Sequence, residues 1–493
     1  MGISKDEFSS LKKKYNLVPL WVDLSTDIIT PLGAFLSLAD NHQPSYLLES
    51  VEREESIARF SFLGVGALES IVISGRDPRG CLNEVFHRYR VPPLDGVFPF
   101  EGGFVGYLSY DLVRFFEPVD VKVQEDYPEA MFFLPEIQIA FDHKEQRMRV
   151  LLWMKAEYSD YEQGMNRLYE ILGRMGRSSQ KEFFDYSVLE SARREVRGTL
   201  KGVSSNFTKR RFLQAVERAK HHIYNGDVVQ VVLSQRFEME AKVHPFLVYR
   251  ILRLLNPSPY MFYLSFPNQR LRLVGSSPEM LVRLKDGVIE THPIAGTRRR
   301  GRNREEDLIL AKDLLSDEKE RAEHVMLVDL GRNDIGRVSE LGTVRVEEFM
   351  HIENFSHVMH IVSRVSGRLK PGLSALDVLS STFPAGTVSG APKIRAMEII
   401  SNLEPTPRGI YAGGIGYFDF SGNMDICIAI RTILFYNNKS FVQAGAGIVA
   451  DSVSELEYKE TLNKARAQIL AIRLAEKIGG RGIYGKDKIA KAR

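Results

Sequence analysis

From about residue 45 to residue 150 the chain alternates short β-rich runs with turn signals: SYLLES, RFSFLG, SIVISG, FVGYLSYD, IQIAFD and RMRVLLWM. Runs of that length and spacing predict an antiparallel, sheet-rich N-terminal region. From Tyr158 to about Leu200 the pattern turns polar and helical in period and includes the weak segment GRMGRSSQKEF, which reads as a linker. A helix is expected from Thr208, because Phe212, Ala215, Val216, Ala219 and Ile223 recur at helical spacing before the Asn225-Gly226 stop. VVQVVLSQRF is the strand after it. Strands with helices interspersed irregularly, and no internal repeat, argue for an α+β fold. The 493 residues suggest two or three domains. We expect an N-terminal region at 1–160, a linker at 161–205, a second domain at 206–480 and a basic C-terminal tail at 481–493.

Charge excludes several classes of function. With 66 Lys+Arg against 63 Asp+Glu the net charge is only +3, so no global field calls for nucleic acid or a membrane surface. The basic run Arg298, Arg299, Arg300, Arg302 and Arg304 is followed at once by Glu305, Glu306 and Asp307, which reads as a solvated loop. Two distant cysteines, Cys81 and Cys427, leave no disulfide framework and no cysteine-rich metal site. No run approaches the ~18 apolar residues of a membrane helix, and the N-terminus lacks the apolar core of a signal peptide. A soluble, cytoplasmic protein is expected.

Two carboxylate pairs carry the first chemical signal. Glu320 and Glu323 lie three apart in a helical segment, and Glu457 and Glu460 repeat the spacing, with Lys464 one turn further on. Residues at i and i+3 share a helix face, so each pair sets two acids side by side. Taken singly, each pair reads as a solvated acidic face. A shared cation is the alternative, and hard oxygen ligands point to Mg²⁺ rather than zinc. His360, in the apolar strand SHVMHIVSRV, reads either as a hydrogen-bonded core residue or as an acid/base group. PAGTVSGAPK lacks the spacing of a nucleotide P-loop. AGAG at 444–447 reads either as a tight turn or as backbone that approaches an anion.

Nine ordered blocks then set the context: GDVVQVVLSQRF, NPSPYMFY, VGSSPEMLVR, KERAEHVMLVDLGRND, HVMHIVSRVSG, FPAGTVSGAPKIRAMEII, YAGGIGYF, IAIRT and QAGAGIVADSVSELEYKETLNKA. Together they resemble the chorismate-utilising enzymes, most closely the large subunits of anthranilate synthases, over about half the chain. The resemblance implies a large antiparallel β-sandwich flanked by helices, with the chorismate site in its second domain and a regulatory region before it. It also implies that ammonia adds to C2 of chorismate, the C4 hydroxyl leaves, and pyruvate is eliminated to give anthranilate.

Carried over by position, Glu323 and Glu460 resemble direct Mg²⁺ ligands, with Glu320 and Glu457 acting through water. Gly296, Thr297, Tyr411, Arg431, Gly445, Ala446, Gly447 and Lys464 would hold chorismate. Glu279 resembles the acid that protonates the departing hydroxyl, and His360 and Thr387 complete the catalytic set. Related enzymes that activate water use a lysine where this chain has Gln230, and aminodeoxychorismate synthases use one where it has Ala295. Neither cysteine sits in a glutaminase setting, so a separate glutamine amidotransferase subunit is implied as partner. Glu49, Ser50, Pro259, Tyr260, Met261, Gly416 and Tyr417 fall where anthranilate synthases bind the inhibitor L-tryptophan. Ala58-Arg59-Phe60-Ser61 departs from the usual Gly-Arg-Tyr-Ser of that region, which leaves the role of Arg59 open. The runner-up is an aminodeoxychorismate synthase, which Ala295 disfavours. A silent amino-acid sensor is disfavoured by the retained acids, and an RNA-binding protein by the near-neutral charge.

Overall fold

All six β-rich runs of the N-terminal region form strands, but they do not share one sheet. In the computed structural model, which describes residues 3–50, 59–177, 190, 202–355 and 358–479, the strands form a 12-stranded and a 10-stranded sheet. Every strand pairing in both is antiparallel. Ser45–Glu49, Phe60–Val65, Ile137–Asp142 and Arg147–Lys155 lie in the larger sheet, where Ser45–Glu49 pairs with Tyr260–Phe266. Glu69–Ile73 and Gly103–Leu108 lie in the smaller, where Gly103–Leu108 pairs with Gly414–Asp419. Strands from before and after residue 200 thus complete each other's sheets. The basic tail at 481–493, Ala58, His357 and most of the second half of the expected linker lie outside the described residues.

The period-2 pattern of the strands builds the layers. On one face of the larger sheet Tyr46, Phe62, Phe262 and Leu273 meet Val105, Tyr107, Phe133 and Ile415 of the smaller sheet. The opposite face of the larger sheet carries Leu47, Leu63, Ile139 and Val274 against helices Pro31–Leu38, Tyr161–Arg177, Pro245–Leu255 and Ser454–Gly479. The outer face of the smaller sheet packs on helices Pro78–Arg88, Glu318–Gly336 and Ala375–Thr382. The result is a sandwich of two sheets between helical layers, the α+β architecture expected. No helix among the described residues is long and apolar enough to cross a membrane.

Two local readings follow from side-chain spacing. Residues 161–177, placed in the linker by their polarity, form a helix that buries Gly164, Leu168, Ile171 and Met175. These residues fall at helical spacing, and a side chain at Gly164 would collide with Leu20 and Met154. The helix expected after Thr208 runs Lys209–Tyr224, with the Thr208 hydroxyl accepting from the Arg211 N–H and the predicted apolar face inward.

One buried ion pair ties together segments of the chain after residue 230. Arg408 and Glu404, at 2% and 3% side-chain exposure, pair at 2.7 Å. Arg408 also donates to the carbonyls of Val388 and Val232, and Glu404 accepts from the N–H and hydroxyl of Ser234. Arg408→Met would strand a buried carboxylate, so we expect a stability loss of about 3–5 kcal/mol in urea unfolding. A loss under about 1 kcal/mol would show that the pair does not hold these segments together.

Candidate active site

Two neighbouring strands leave one sheet and enter the other at the same place. Leu271–Ser277 belongs to the larger sheet and Met280–Lys285 to the smaller, and Met424–Ile428 and Thr432–Tyr436 repeat the crossing in the opposite direction. The crossings are laced together. Ser277 donates its hydroxyl to the Ile428 carbonyl at 2.7 Å, Ile428 N–H donates to the Glu279 carbonyl, and Ser276 N–H donates to the Arg431 carbonyl. Glu279 and Arg431 therefore sit between the sheets. The Glu279 carboxyl is 8% exposed, and burial pushes its pKa up to about 8 against weaker lowering by Thr387 and Lys464. The buried Thr387 hydroxyl has no hydrogen-bond partner among the described residues. Arg431 takes a left-handed backbone conformation at φ +51° and forms no ion pair among the described residues, and burial lowers its pKa.

His360 is positioned by a β-bulge. Ala295 pairs with Ile361 and Arg298 with Met359, which leaves Gly296 and Thr297 together opposite His360. Gly296 has φ +68°, and a side chain there would press on Glu320 and Leu314. The extra residue turns the Gly296 carbonyl to 2.7 Å and the Thr297 hydroxyl to 3.1 Å from His360 Nδ1. A carbonyl only accepts, so Nδ1 carries the proton and Nε2 keeps its lone pair. Burial lowers the His360 pKa, which Arg431 and Lys464 reinforce and the Gly296 contact opposes. The ring is neutral at pH 7 and fit to act as a base. His360 is thus hydrogen-bonded within its strand, with the tautomer that an acid/base role requires.

The AGAG segment is neither turn nor loop. It lies within the strand Lys439–Ile448, with Gly445 opposite Ser234 and Gly447 opposite Val232. On the other side, Thr432–Tyr436 pairs with this strand only from Lys439 to Val442. From Gln443 onward that backbone edge has no strand partner and faces the crossing. Glycine is required for space, since a Cβ at Gly445 would stand 2.6 Å from the Tyr411 hydroxyl and one at Gly447 2.6 Å from the Gln230 amide. Ala446 is fully buried on the opposite face, against Val231 and Leu233. Lys464 donates to the Gly445 carbonyl at 3.1 Å and pairs with Glu460 at 2.6 Å.

The four acids come from two helices. Glu320 and Glu323 lie on Glu318–Gly336, and Glu457 and Glu460 on Ser454–Gly479. Burial raises the pKa of Glu320 and of Glu457, and in each case the partner acid three residues on adds like-charge repulsion. Lys319 lies within electrostatic reach of Glu320, Glu323 and Glu457 and pairs with Asp451 at 2.7 Å. Every acid but Glu457 is hydrogen-bonded by a cation or amide: Glu320 by Arg298, Glu323 by Gln230 at 2.8 Å and Glu460 by Lys464. Among the described residues no three acids or histidines already converge as a metal site. The donors fit Mg²⁺ in kind, being hard oxygens under mutual repulsion that a divalent cation relieves.

The expected inhibitor residues line a single cavity of about 490 Å³. Glu49, Ser50, Pro259, Tyr260, Met261, Gly416 and Tyr417 all face it; Met261 pairs directly with Glu49 within the larger sheet and Tyr417 with Asp425 within the smaller. Its volume lies in the range of small-molecule sites. The Ser50 hydroxyl is buried without a partner among the described residues. Arg59 lines the wall and makes a bidentate pair with Asp142 at 2.8 and 3.0 Å, which orders the strand edge. Sequence reading passed over Tyr249 and Arg253, which hold Glu49 at 2.5 and 3.0 Å, and over His292, whose Nε2 is buried unpartnered in the same wall. Their one sequence signal is an acid, Glu49, at the end of the apolar strand SYLLE.

The Glu279 carboxyl keeps its proton in the folded state up to about pH 8, whereas the unfolded chain releases it near the ordinary 4.5. Between those values unfolding releases a proton, so this group makes stability fall as pH rises. The stability of wild type relative to Glu279→Gln should drop between about pH 5 and about pH 8 in chemical denaturation. An unchanged difference would mean that Glu279 is already ionised at neutral pH.

Comparison with known proteins agrees with the geometry. The chorismate binding enzyme family matches residues 43–470. Anthranilate synthase component 1 of Aquifex aeolicus is 48% identical, covering 97% of this chain and 99% of its own length. The protein of the same name from Pseudomonas aeruginosa is 44% identical, covering 96% and 99%. The crystal structure of anthranilate synthase component I from Streptococcus pneumoniae superposes with a TM-score of 0.73 at 39% identity, over 90% of this chain and 98% of that one. The menaquinone-specific isochorismate synthase of Escherichia coli shares the fold, with a TM-score of 0.71 at 18% identity over 94% and 98%. With the match spanning both sheets and every element of the site, the chain belongs to the chorismate binding enzyme family.

Proposed function

We propose that the chain is the chorismate-converting component of an anthranilate synthase, forming anthranilate and pyruvate from chorismate and ammonia. The observation that carries this reading is the corner where a protonated, buried Glu279 stands with a buried Arg431 that has no ion-pair partner among the described residues. A dicarboxylate that must lose a hydroxyl requires both an acid and an anion-binding cation. Arg431, Lys464, Tyr411 and the open backbone edge at Gly445–Gly447 hold the substrate's carboxylates, with Gly296 and Thr297 lining the opposite wall. Glu279 gives its proton to the departing C4 hydroxyl, aided by Thr387. His360, neutral with a free Nε2, takes a ring proton as pyruvate leaves.

Two positions select the nucleophile. The Gln230 amide is held by Glu323 and cannot act as a base, so water is not activated there. Ala295 supplies no amine for covalent attack. Ammonia from outside remains, delivered by a glutamine amidotransferase subunit as partner. Mg²⁺ held by Glu323 and Glu460, with Glu320 and Glu457 behind water, would neutralise a substrate carboxylate and orient it. In this reading residues 1–160 serve regulation and residues 206–480 catalysis. The 490 Å³ cavity then takes L-tryptophan as feedback inhibitor.

The direct test is anthranilate fluorescence from chorismate with Mg²⁺. Purified chain should turn over with ammonium and, lacking a thiol nucleophile in a suitable setting, should not with glutamine alone. No anthranilate, or another chorismate product, would overturn the reading. Ser50→Ala removes a hydroxyl that has no partner among the described residues, so its loss should be felt by the inhibitor. One hydrogen bond to a charged amino acid is worth roughly 1.5–3 kcal/mol, which corresponds to about a tenfold to hundredfold rise in the tryptophan concentration needed for inhibition. Turnover without tryptophan should stay as in wild type. Unchanged inhibition would remove Ser50 from the site.

A further inference from the structure

Behind Glu279 lies a small cavity that the proposed chemistry leaves unused. Its volume is about 30 Å³, room for one or two waters, and its polar walls are Glu279, Thr387, Thr291, Thr382 and Asp334. Gly331, on the helix Glu318–Gly336, closes one side. Asp334 and Lys393 form a buried ion pair at 2.6 Å, with 11% and 9% side-chain exposure, and Lys393 also donates to the Thr382 carbonyl. Two charges buried away from the substrate's carboxylate grips are costly unless they serve a purpose or are fully compensated. The pair is not isolated from solvent. Arg337 and Glu117, themselves ion-paired with Arg337 47% exposed, are the other charges that act on Asp334.

We infer that Asp334 and Lys393 form a proton relay that reloads Glu279 through water in this cavity, from the side opposite chorismate. The inference rests on the reading of Glu279 as the acid for the departing hydroxyl. In each turnover Glu279 loses one proton as the C4 hydroxyl leaves as water. The cavity water passes a proton to the Glu279 carboxylate and takes one from the Asp334–Lys393 pair, and the pair regains it from solvent past Arg337 and Glu117. The balance closes on the substrate side, because ammonia sheds one proton on becoming an aryl amine and that proton returns to solvent. Burial raises the Asp334 pKa to about 6, against Lys393 and Arg337, so the pair can hold and release a proton near neutrality. Lys464, which with Thr387 opposes burial at Glu279, does not line this cavity.

Asp334 and Lys393 touch no substrate, so their loss should separate turnover from binding. Asp334→Asn should lower kcat for ammonia-dependent anthranilate formation roughly 10- to 100-fold, the lower range of assisted proton transfer. The KM for chorismate should be unchanged, the solvent deuterium isotope effect on kcat should rise, and Asp334→Glu should restore part of the rate. Gly331→Ala is the second variant, because alanine suits the helix and the added methyl meets Thr291 at 3.2 Å, narrowing the cavity without removing a charge. It should lower kcat with the same isotope signature and shift the Glu279 carbonyl band in the infrared spectrum of the free protein. Wild-type kcat in both variants, or a fall in kcat with an unaltered isotope effect, would overturn the relay. Should the wild-type protein form no anthranilate, the assigned reaction fails instead, and an unshifted Glu279 band in Gly331→Ala would then overturn the relay independently.

Discussion

The rest of the structure depends on the double crossing between sheets. Two hydrogen-bonded strands change layer side by side, and their bonds at Ser277, Ile428 and Arg431 fix the crossing point. A sheet face can bury only what alternates onto it, but a crossing strand exposes its backbone and side chains to the gap between layers. Polar groups enter the sandwich there without breaking its aromatic core. Glu279, Arg431 and the Gly445–Gly447 edge all border this one opening. Position in the fold, more than the identity of any neighbour, gives Glu279 its proton and leaves Arg431 without an ion pair among the described residues.

The charges around the opening come from two helices and from the strands beside them. Acids project from two helices, cations from a strand end and from Lys464, and each acid except Glu457 borrows a hydrogen-bond donor from the site. Such arrangements are tense in the absence of ligand, since Glu320 and Glu457 are pushed towards protonation by burial and by their own neighbours. A dianionic substrate and a divalent cation arriving together would exchange internal pairs for external ones. That rearrangement asks little of the backbone, which the bulge at Gly296 and the ladder at Gly447 already fix.

The sequence made legible those features that depend on local period or on motif. The six N-terminal strands, the helix after Thr208 and the inward face of that helix follow from spacing alone. The partition of those strands between two sheets does not, because pairing partners such as Leu108 and Gly414 share no local signal. The helical period at 161–177 is legible, but its polarity suggests a linker, whereas a narrow apolar stripe buries it and close packing requires Gly164. Of the two readings of AGAG, a tight turn or backbone that approaches an anion, the turn fails, because here the small residues lie in a strand and make room for Tyr411 and Gln230. The bulge opposite His360, which sets its tautomer, becomes visible only once register is known.

Interleaving also has a temporal side. A ribosome delivers the chain from its N-terminus, and the strand Gly103–Leu108 emerges long before Gly414–Asp419, the neighbour that covers its edge. Until then its backbone donors and acceptors are open to any passing strand, and nearly the whole polypeptide must exist before either sheet is complete. Such a protein matures late, as one unit, and nascent chains of it are natural clients for holding factors.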